Sequence, residues 1–197
     1  MPDLDHLLQY KSTSDPQVIQ TLVDRFYAYI YRLSLSILGD ASEADDAAQE
    51  TFIRAAQKLE YYQTGTCLKS WLSTIAVNIC RDMLRRKRTR QALLGALKFA
   101  GRLSNQFPTP EEITIENERR DALWLAVQSL GDKHRLPLIL RYVHGMNATE
   151  IAQILEISEG TVYSRMHYAV RKLQAQLEQD SDHSIGEQQA DQGNRES

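Results

Sequence analysis

Apolar positions along this chain recur every three or four residues, and nowhere does a sustained apolar–polar alternation of the kind a half-buried strand needs appear. In DPQVIQTLVDRFYAYIYRLSLSILGD, residues Val18, Leu22, Phe26, Ile30, Leu33 and Ile37 fall on one helical face. Asp15 suits the cap of that helix, Pro16 its first turn and Gly39 its stop. The next segment, ASEADDAAQETFIRAAQKL, carries a stripe of Ala44, Ala48, Phe52, Ala55 and Leu59, small enough for close packing. Ser42 with Asp45 three residues on resembles a capping box with a shorter acid. Asp46, Gln49, Glu50 and Arg54 occupy the side away from the stripe, too polar to be core.

YYQTGTCLKS interrupts the period with Gly65 and small polar residues, which predicts a loop before a helix starting near Trp71. Leu68, Leu72, Ile75, Ile79 and Met83 then resume the helical spacing. Beyond it, QALLGALKFAGRLSNQFPTPEE mixes apolar residues with Gly, Asn and two prolines, the composition of a linker with room for one short helix. A second periodic block opens near Pro110, with Thr109 as cap, Glu111 and Glu112 in the first turn, and Leu123, Val127 and Leu130 as the apolar face. Another helix, DKHRLPLILRYVHG, follows Gly131, its Pro137 near enough to the start to be tolerated.

The sharpest local signal is MNATEIAQILEISEGTVYSRMHYAVRKLQ. Asn147 and Glu150 form an N-x-x-E cap, Ile151, Ala152 and Leu155 a short apolar stripe, and Glu156 and Ile157 a turn. Ser158 then caps a second helix whose Val162, Met166, Ala169 and Leu173 face inward. That is a helix-turn-helix, whose second helix fits a major groove about 12 Å wide. Thr161, Ser164, Arg165, Tyr168, Arg171 and Lys172 lie on its outward side, with Arg165 placed to reach a base edge and Arg171 and Lys172 to hold phosphates.

These signals predict an all-α chain of two small helical domains. The N-terminal domain spans 1–92, a flexible linker 93–116, a C-terminal domain containing the helix-turn-helix 117–178, and an acidic, unstructured tail 179–197 in which Ile185 is the one aliphatic residue.

Charge adds what periodicity cannot. The net charge of the 197 residues is −3, yet eight bases stand against one acid between residues 81 and 102, while residues 1–62 hold ten acids and five bases. A basic cluster between acidic flanks points to nucleic acid more strongly than overall composition does. Cations also favour helix C-termini, at about 0.3–1 kcal/mol each, but that effect does not call for Arg81, Arg85, Arg86, Lys87, Arg88 and Arg90 together. Arg81, Arg85 and Arg88 share one face. Tyr61, Tyr62 and Trp71 flank the preceding loop, where aromatic rings either pack or stack on unpaired bases.

No apolar run approaches the roughly 20 residues of a membrane span, and MPDLDHLLQYK has no basic start followed by an apolar core, so a cytoplasmic protein without direct membrane insertion is expected. Cys67 and Cys80 have no CxxC or His-rich partner motif, so no metal site is expected and both read as ordinary small side chains. Asp45, Asp46 and Glu50 sit where a helix start favours acids, and no phosphate-cradling glycine loop or nucleophile elbow is present. No catalytic residues, cofactor or small-molecule substrate are therefore expected.

Taken in order, EADDAAQETFIRA, WLSTIAVNICRDMLRRKR and LGDKHRLPLILRYVHGMNATEIAQILEISEGTVYSRMHYAVRKL resemble bacterial sigma factors of the extracytoplasmic-function group, over roughly residues 15–178. The resemblance implies a factor that binds core RNA polymerase and directs it to promoter DNA, commonly under the control of an anti-sigma factor that is frequently membrane-bound. It implies core-polymerase contacts at Asp46, Gln49, Glu50 and Ile53. It implies minus-ten contacts at Tyr62, Lys69, Ser70, Trp71, Asn78, Arg81, Arg85 and Arg88, the loop from Tyr61 to Ser70 capturing a flipped base. Minus-thirty-five contacts are implied at Thr161, Tyr163, Ser164, Arg165, Tyr168, Arg171 and Lys172. Tyr163 and Tyr168 depart from the Arg or Lys that relatives often carry there. A stand-alone helix-turn-helix regulator is the rival, separable because it would bind an operator without polymerase. More distant is an interaction protein or nucleic-acid enzyme using the acidic helix.

Overall fold

A computed structural model describes residues 16–62, 67–99 and 123–193, with side chains described within 17–62, 67–91 and 123–176. All regular structure among the described residues is helical. Helix α1 spans Pro16–Leu38 and α2 spans Ala41–Lys58, followed by a 3-10 turn at Leu59–Tyr61 and helix α3 at Leu68–Phe99. Residues 123–129 form α4, then come α5 (Asp132–Tyr142), α6 (Ala148–Leu155) and α7 (Glu159–Gly193). The chain divides by contact into two units, Met1–Ser104 with Ile139–Ser158 and Asn105–Leu138 with Glu159–Ser197. One boundary of this division falls within 93–116, at Ser104–Asn105, and the other two lie inside α5 and just before α7, because α6 packs on α3.

In the first unit α1, α2 and α3 pack on one another. Leu22, Ile30, Leu33 and Ile37 of α1 are fully buried, as are Ala44, Ala47, Ala48 and Ala55 of α2 and Leu72, Ala76 and Val77 of α3. The alanines leave no long side chain between backbones, so the helices approach closely and Thr51 satisfies its hydroxyl on the Ala47 carbonyl at 2.6 Å. Gly39 ends α1 with φ +75° and an amide donating to the Leu35 carbonyl at 2.8 Å, a left-handed stop that suits a residue without a Cβ. The cap of α2 is Asp40, whose carboxylate accepts from the Glu43 amide at 2.8 Å, and not Ser42. The helix already begins at Ala41, so Ser42 lies inside its first turn and Asp45 instead accepts from the Tyr27 hydroxyl and from Gln49 at 2.8 Å.

Helix α3 begins at Leu68, three residues before Trp71, and its backbone stays helical to Phe99, into the segment expected to be linker. Ala, Leu, Gln and Lys in QALLGALKF are strong helix formers, and Gly95 alone, at about 1 kcal/mol relative to alanine, does not stop a helix already nucleated by packing. The remainder of that segment, and the Thr109–Glu112 helix start, lie outside the described residues. Likewise α7 is helical to Gly193, where an unstructured tail was expected from residue 179. The helix is anchored at its start by the buried Val162, Ala169 and Leu173.

Asn147 and Glu150 form the expected reciprocal cap of α6, with the Glu150 amide 2.9 Å from Asn147 Oδ1 and the Asn147 amide 2.8 Å from Glu150 Oε2. Ile151, Ala152 and Leu155 are buried, and Glu156 turns the chain at φ +55°. Val127 and Leu130 of the second unit are buried as expected, whereas Leu123 is 44% exposed and does not join them. Arg135, 5% exposed, is held by Asp132 at 3.1 Å and by the Gln128 side chain, a structural rather than a ligand-facing cation.

The turn between α5 and α6 places His144 against α1. Ser36 donates its hydroxyl to the Leu33 carbonyl at 2.8 Å, so toward His144 Nε2, 2.9 Å away, it accepts, and Nε2 carries the proton. The imidazole meets the Tyr29 ring edge-on at 6.0 Å, and Lys69 Nζ lies 4.3 Å from the centre of that same ring. Burial, with Lys69 and Arg32 nearby, lowers the His144 pKa to about 4. A folded pKa below the unfolded value means that the unfolded chain takes the proton first. The stabilisation from neutral His144 is therefore complete above about pH 6.5 and lost as pH falls toward about 4. The thermal midpoint of the wild type is expected to drop more steeply than that of His144→Gln between pH 7 and pH 4.5 in about these bounds; parallel curves would show that His144 does not titrate in this window.

Candidate nucleic-acid interface

Helix α2 separates its faces cleanly. Ala44, Ala47, Ala48, Thr51, Phe52 and Ala55 are buried, and on the other side Asp46 and Gln49 are exposed, Glu50 is partly so, and Ile53 is 54% exposed. At about 100° per residue, positions 46, 49, 50 and 53 span less than a third of the helix circumference, so the structure brings all four together. Glu50 is tied to Arg54 at 2.7 Å and Gln49 to Asp45 at 2.8 Å, which holds two of the polar side chains in place.

Helix α3 carries the second face. Trp71, Asn78, Arg81, Arg85 and Arg88 follow one another at spacings of seven, three, four and three, and Ser70, eight residues before Asn78, joins them in one stripe, opposite the buried Leu72, Ala76 and Ile79 side. Arg81 Nη1 donates to Asn78 Oδ1 at 3.3 Å, and Arg85 pairs with Asp82 at 3.2 Å with its side chain 76% exposed. Lys87 leaves the stripe, reaching across to both oxygens of Glu43 at 3.0 and 3.1 Å. The basic run is thus split between a solvent-facing set and one cation that ties α3 to α2.

Two of the residues named for this surface lie elsewhere. Lys69 is nine positions from Asn78, about half a turn out of phase, and its ammonium sits on Tyr29. Tyr62 is 1% exposed, its ring packed on Trp71 with centroids 5.2 Å apart at 61°. A buried ring offers no face to a base. Tyr61, beside it, is 74% exposed and is the aromatic that the start of this loop presents. Adjacent tyrosines cannot be ranked by period when the turn between helices is unknown; the 3-10 turn decides it. Cys67 stands exposed at the start of α3, where the amide and hydroxyl of Ser70 lower its thiol pKa, whereas burial pushes Cys80 up to about 11.

On α7, Thr161, Ser164, Arg165, Tyr168, Arg171 and Lys172 share one face, with Ser164, Tyr168, Arg171 and Lys172 exposed. Tyr163 is also exposed, but five residues from Tyr168 it lies about 140° round the helix, off this face. His134, which the periodic pattern gave no reason to single out, stacks on Tyr168. Among the described residues no cluster of His, Cys, Asp and Glu could hold a metal ion, and no helix is long and apolar enough to cross a membrane.

The chain matches the family models Sigma-70 region 2 over residues 22–90 and Sigma-70, region 4 over residues 126–175. It is 34% identical over 171 residues to the ECF RNA polymerase sigma factor SigL of Mycobacterium tuberculosis (strain ATCC 25618 / H37Rv), covering 85% of this chain and 93% of the relative. It is 30% identical over 169 residues to SigW of Bacillus subtilis (strain 168), covering 83% and 90%. Its fold is similar to that of CnrH solved with the cytosolic domain of CnrY, with a TM-score of 0.63 and 21% identity over 90% of this chain and 99% of that one. The Bartonella quintana sigma factor RpoE, solved with the anti-sigma factor NepR, has a TM-score of 0.60 and 23% identity over 81% and 96%. Two ordered family segments on two distinct polar faces, with full-length relatives above 30% identity, have one explanation: the chain belongs to the ECF RNA polymerase sigma factors.

Proposed function

We propose that this sigma factor divides promoter-specific initiation among three faces. Asp46, Gln49, Glu50 and Ile53 on α2 dock on core RNA polymerase. The α3 stripe of Ser70, Trp71, Asn78, Arg81, Arg85 and Arg88, with the loop ahead of it, engages the melted minus-ten element. Thr161, Ser164, Arg165, Tyr168, Arg171 and Lys172 on α7 read the minus-thirty-five element, and Tyr163, off this face, does not. The functional domains are residues 1–92 and 117–178, joined by 93–116.

One observation carries the reading: a single stripe on α3, polar at its start and cationic at its end, opposite the face that buries Leu72, Ala76 and Ile79. The cations suit phosphates and supply position, while Asn78 offers an amide that can both donate and accept to a base. Capture of an unstacked base offsets the few kcal/mol of unpairing and favours the open strand. Tyr61, exposed at the loop's edge, supplies a stacking surface, while Tyr62 is buried against Trp71. Two modest DNA contacts become strong once both domains are fixed on polymerase, through effective concentration. The work is binding and strand separation, and the chain needs no catalytic group or cofactor of its own.

CnrH was solved with the cytosolic domain of CnrY and RpoE with the anti-sigma factor NepR, and an anti-sigma factor is the corresponding partner proposed here. The protein acts in the cytoplasm, where promoter DNA and polymerase are.

Replacing Asp46 and Gln49 together by alanine is expected to weaken association with core polymerase by about tenfold or more, each interface side chain contributing on the order of 1 kcal/mol. Both are exposed, so the thermal midpoint should not move. Unchanged association in a sedimentation or fluorescence titration with purified core enzyme would remove α2 from the interface.

Asn78→Ala and Arg85→Ala are expected to leave core association intact and reduce open-promoter formation and transcript yield in reconstituted transcription. Loss of Arg85 should also lower the salt dependence of promoter binding by about one phosphate contact. Equal loss of core binding and promoter opening, at normal stability, would show that this stripe is not the DNA face.

A further inference from the structure

Tyr168 is the largest side chain on the proposed DNA face of α7, and it is held in place from outside that helix. Its ring lies on the imidazole of His134, the third residue of α5, with centroids 4.2 Å apart and planes inclined by 29°. His134 Nδ1 is 3.4 Å from the backbone carbonyl of Arg165, and because a carbonyl only accepts, Nδ1 is the donor. One imidazole therefore touches α7 at two points three residues apart, the carbonyl of Arg165 and the ring of Tyr168. Both partners lie in the same contact unit.

The pair is not core. Val162, Ala169 and Leu173 form the buried side of α7, while Tyr168 keeps 52% of its surface exposed and His134 is half-buried. A half-exposed tyrosine on a helix otherwise samples several rotamers, and fixing it on binding weakens affinity by a factor of roughly two to ten. A stack formed beforehand removes that loss, and leaves the uncovered part of the ring and the phenol hydroxyl available. Those groups suit base edges: an apolar ring meets a thymine methyl, and a hydroxyl donates to or accepts from a base.

We propose that His134 is a positioning residue for recognition of the minus-thirty-five element, fixing Tyr168 so that it discriminates among base pairs. Tyr168 is then a specificity determinant rather than a general phosphate contact, and the base pairs it reads depend on a residue that touches no DNA. The inference rests on the assignment of this α7 face to the upstream element.

The test uses holoenzyme reconstituted from the full chain and core polymerase, on promoters in which each upstream base pair is varied singly and, as an internal control, each minus-ten pair. Tyr168→Ala is expected to flatten the preference at one or two adjacent upstream pairs. His134→Ala should flatten the same pairs by about two- to tenfold, with minus-ten preferences unchanged. The double variant should be no worse than Tyr168→Ala, and His134→Phe, which keeps a stacking face, should restore the preference. If His134→Ala does not fold or bind core, His134→Leu, which fills the space without stacking, replaces it under the same criteria.

An even loss across all templates, an effect at different pairs, or multiplying effects in the double variant would overturn the proposal. Flattening by Tyr168→Ala with none from His134→Ala would overturn it while leaving the face assignment standing. If neither Tyr168→Ala nor Arg165→Ala alters any upstream preference, the face assignment falls, and this inference with it.

Discussion

Close packing of the alanine stripe of α2 against its neighbours is the constraint on which the first unit depends. Ala44, Ala47, Ala48 and Ala55 are wholly buried, and a longer side chain at any of them would push apart helices that the rest of the core holds together. The same stripe fixes the rotation of α2. With one side committed to alanine and Phe52, Asp46, Gln49 and Ile53 have only the solvent side left to them. The rotation of α3 is fixed in the same way by Leu72, Ala76 and Ile79, which leaves Asn78, Arg81 and Arg85 in water. Function here sits on what the core does not use.

How much of this the sequence discloses depends on whether a feature has a period. The stripes of α1, α2 and α3 repeat every three or four residues over several turns, and the structure buries most of the positions they named. The Asn147–Glu150 cap was equally legible, because the two side chains satisfy each other's backbone amides at a fixed spacing. Lys69 shows the limit. With α3 expected to begin near Trp71, Lys69 belonged to the loop and was free to face DNA. Once the helix begins at Leu68 its phase is set, and Lys69 falls on the side of Tyr29. Tyr61 and Tyr62 show another limit, since only the 3-10 turn determines which of two neighbours is buried. His134 and His144 were silent because their partners, Tyr168 and Ser36, are distant in sequence.

Resemblance supplied what periodicity could not, namely the family, from which the partner proposed for each polar face follows. Composition shows that α2 is polar outside and α3 cationic, and geometry keeps each set together. Neither alone distinguishes polymerase from any other partner. The family segments do, by their order along the chain and by full-length relatives. The departures from the family pattern then gain meaning from geometry. Tyr168, an aromatic where the resemblance implies a cation, comes with a stacking partner on α5; Tyr163, off the shared face of α7, has no comparable claim to reading bases.

The electrostatics explain why such a protein can read DNA while carrying a net charge of −3. At physiological salt, charge is felt over about 8 Å, so acids further than that from Arg81, Arg85 and Arg88 do little to repel an anion at these side chains. They do prevent the long-range attraction that a uniformly basic protein would exert on any duplex. Within the basic run, Arg85 and Lys87 are occupied by Asp82 and Glu43, but through exposed pairs worth about 0–1 kcal/mol each. Phosphates can displace partners held that weakly. Affinity for DNA is therefore available at contact and small at a distance, and a chain of this kind depends on polymerase to bring it to the promoter.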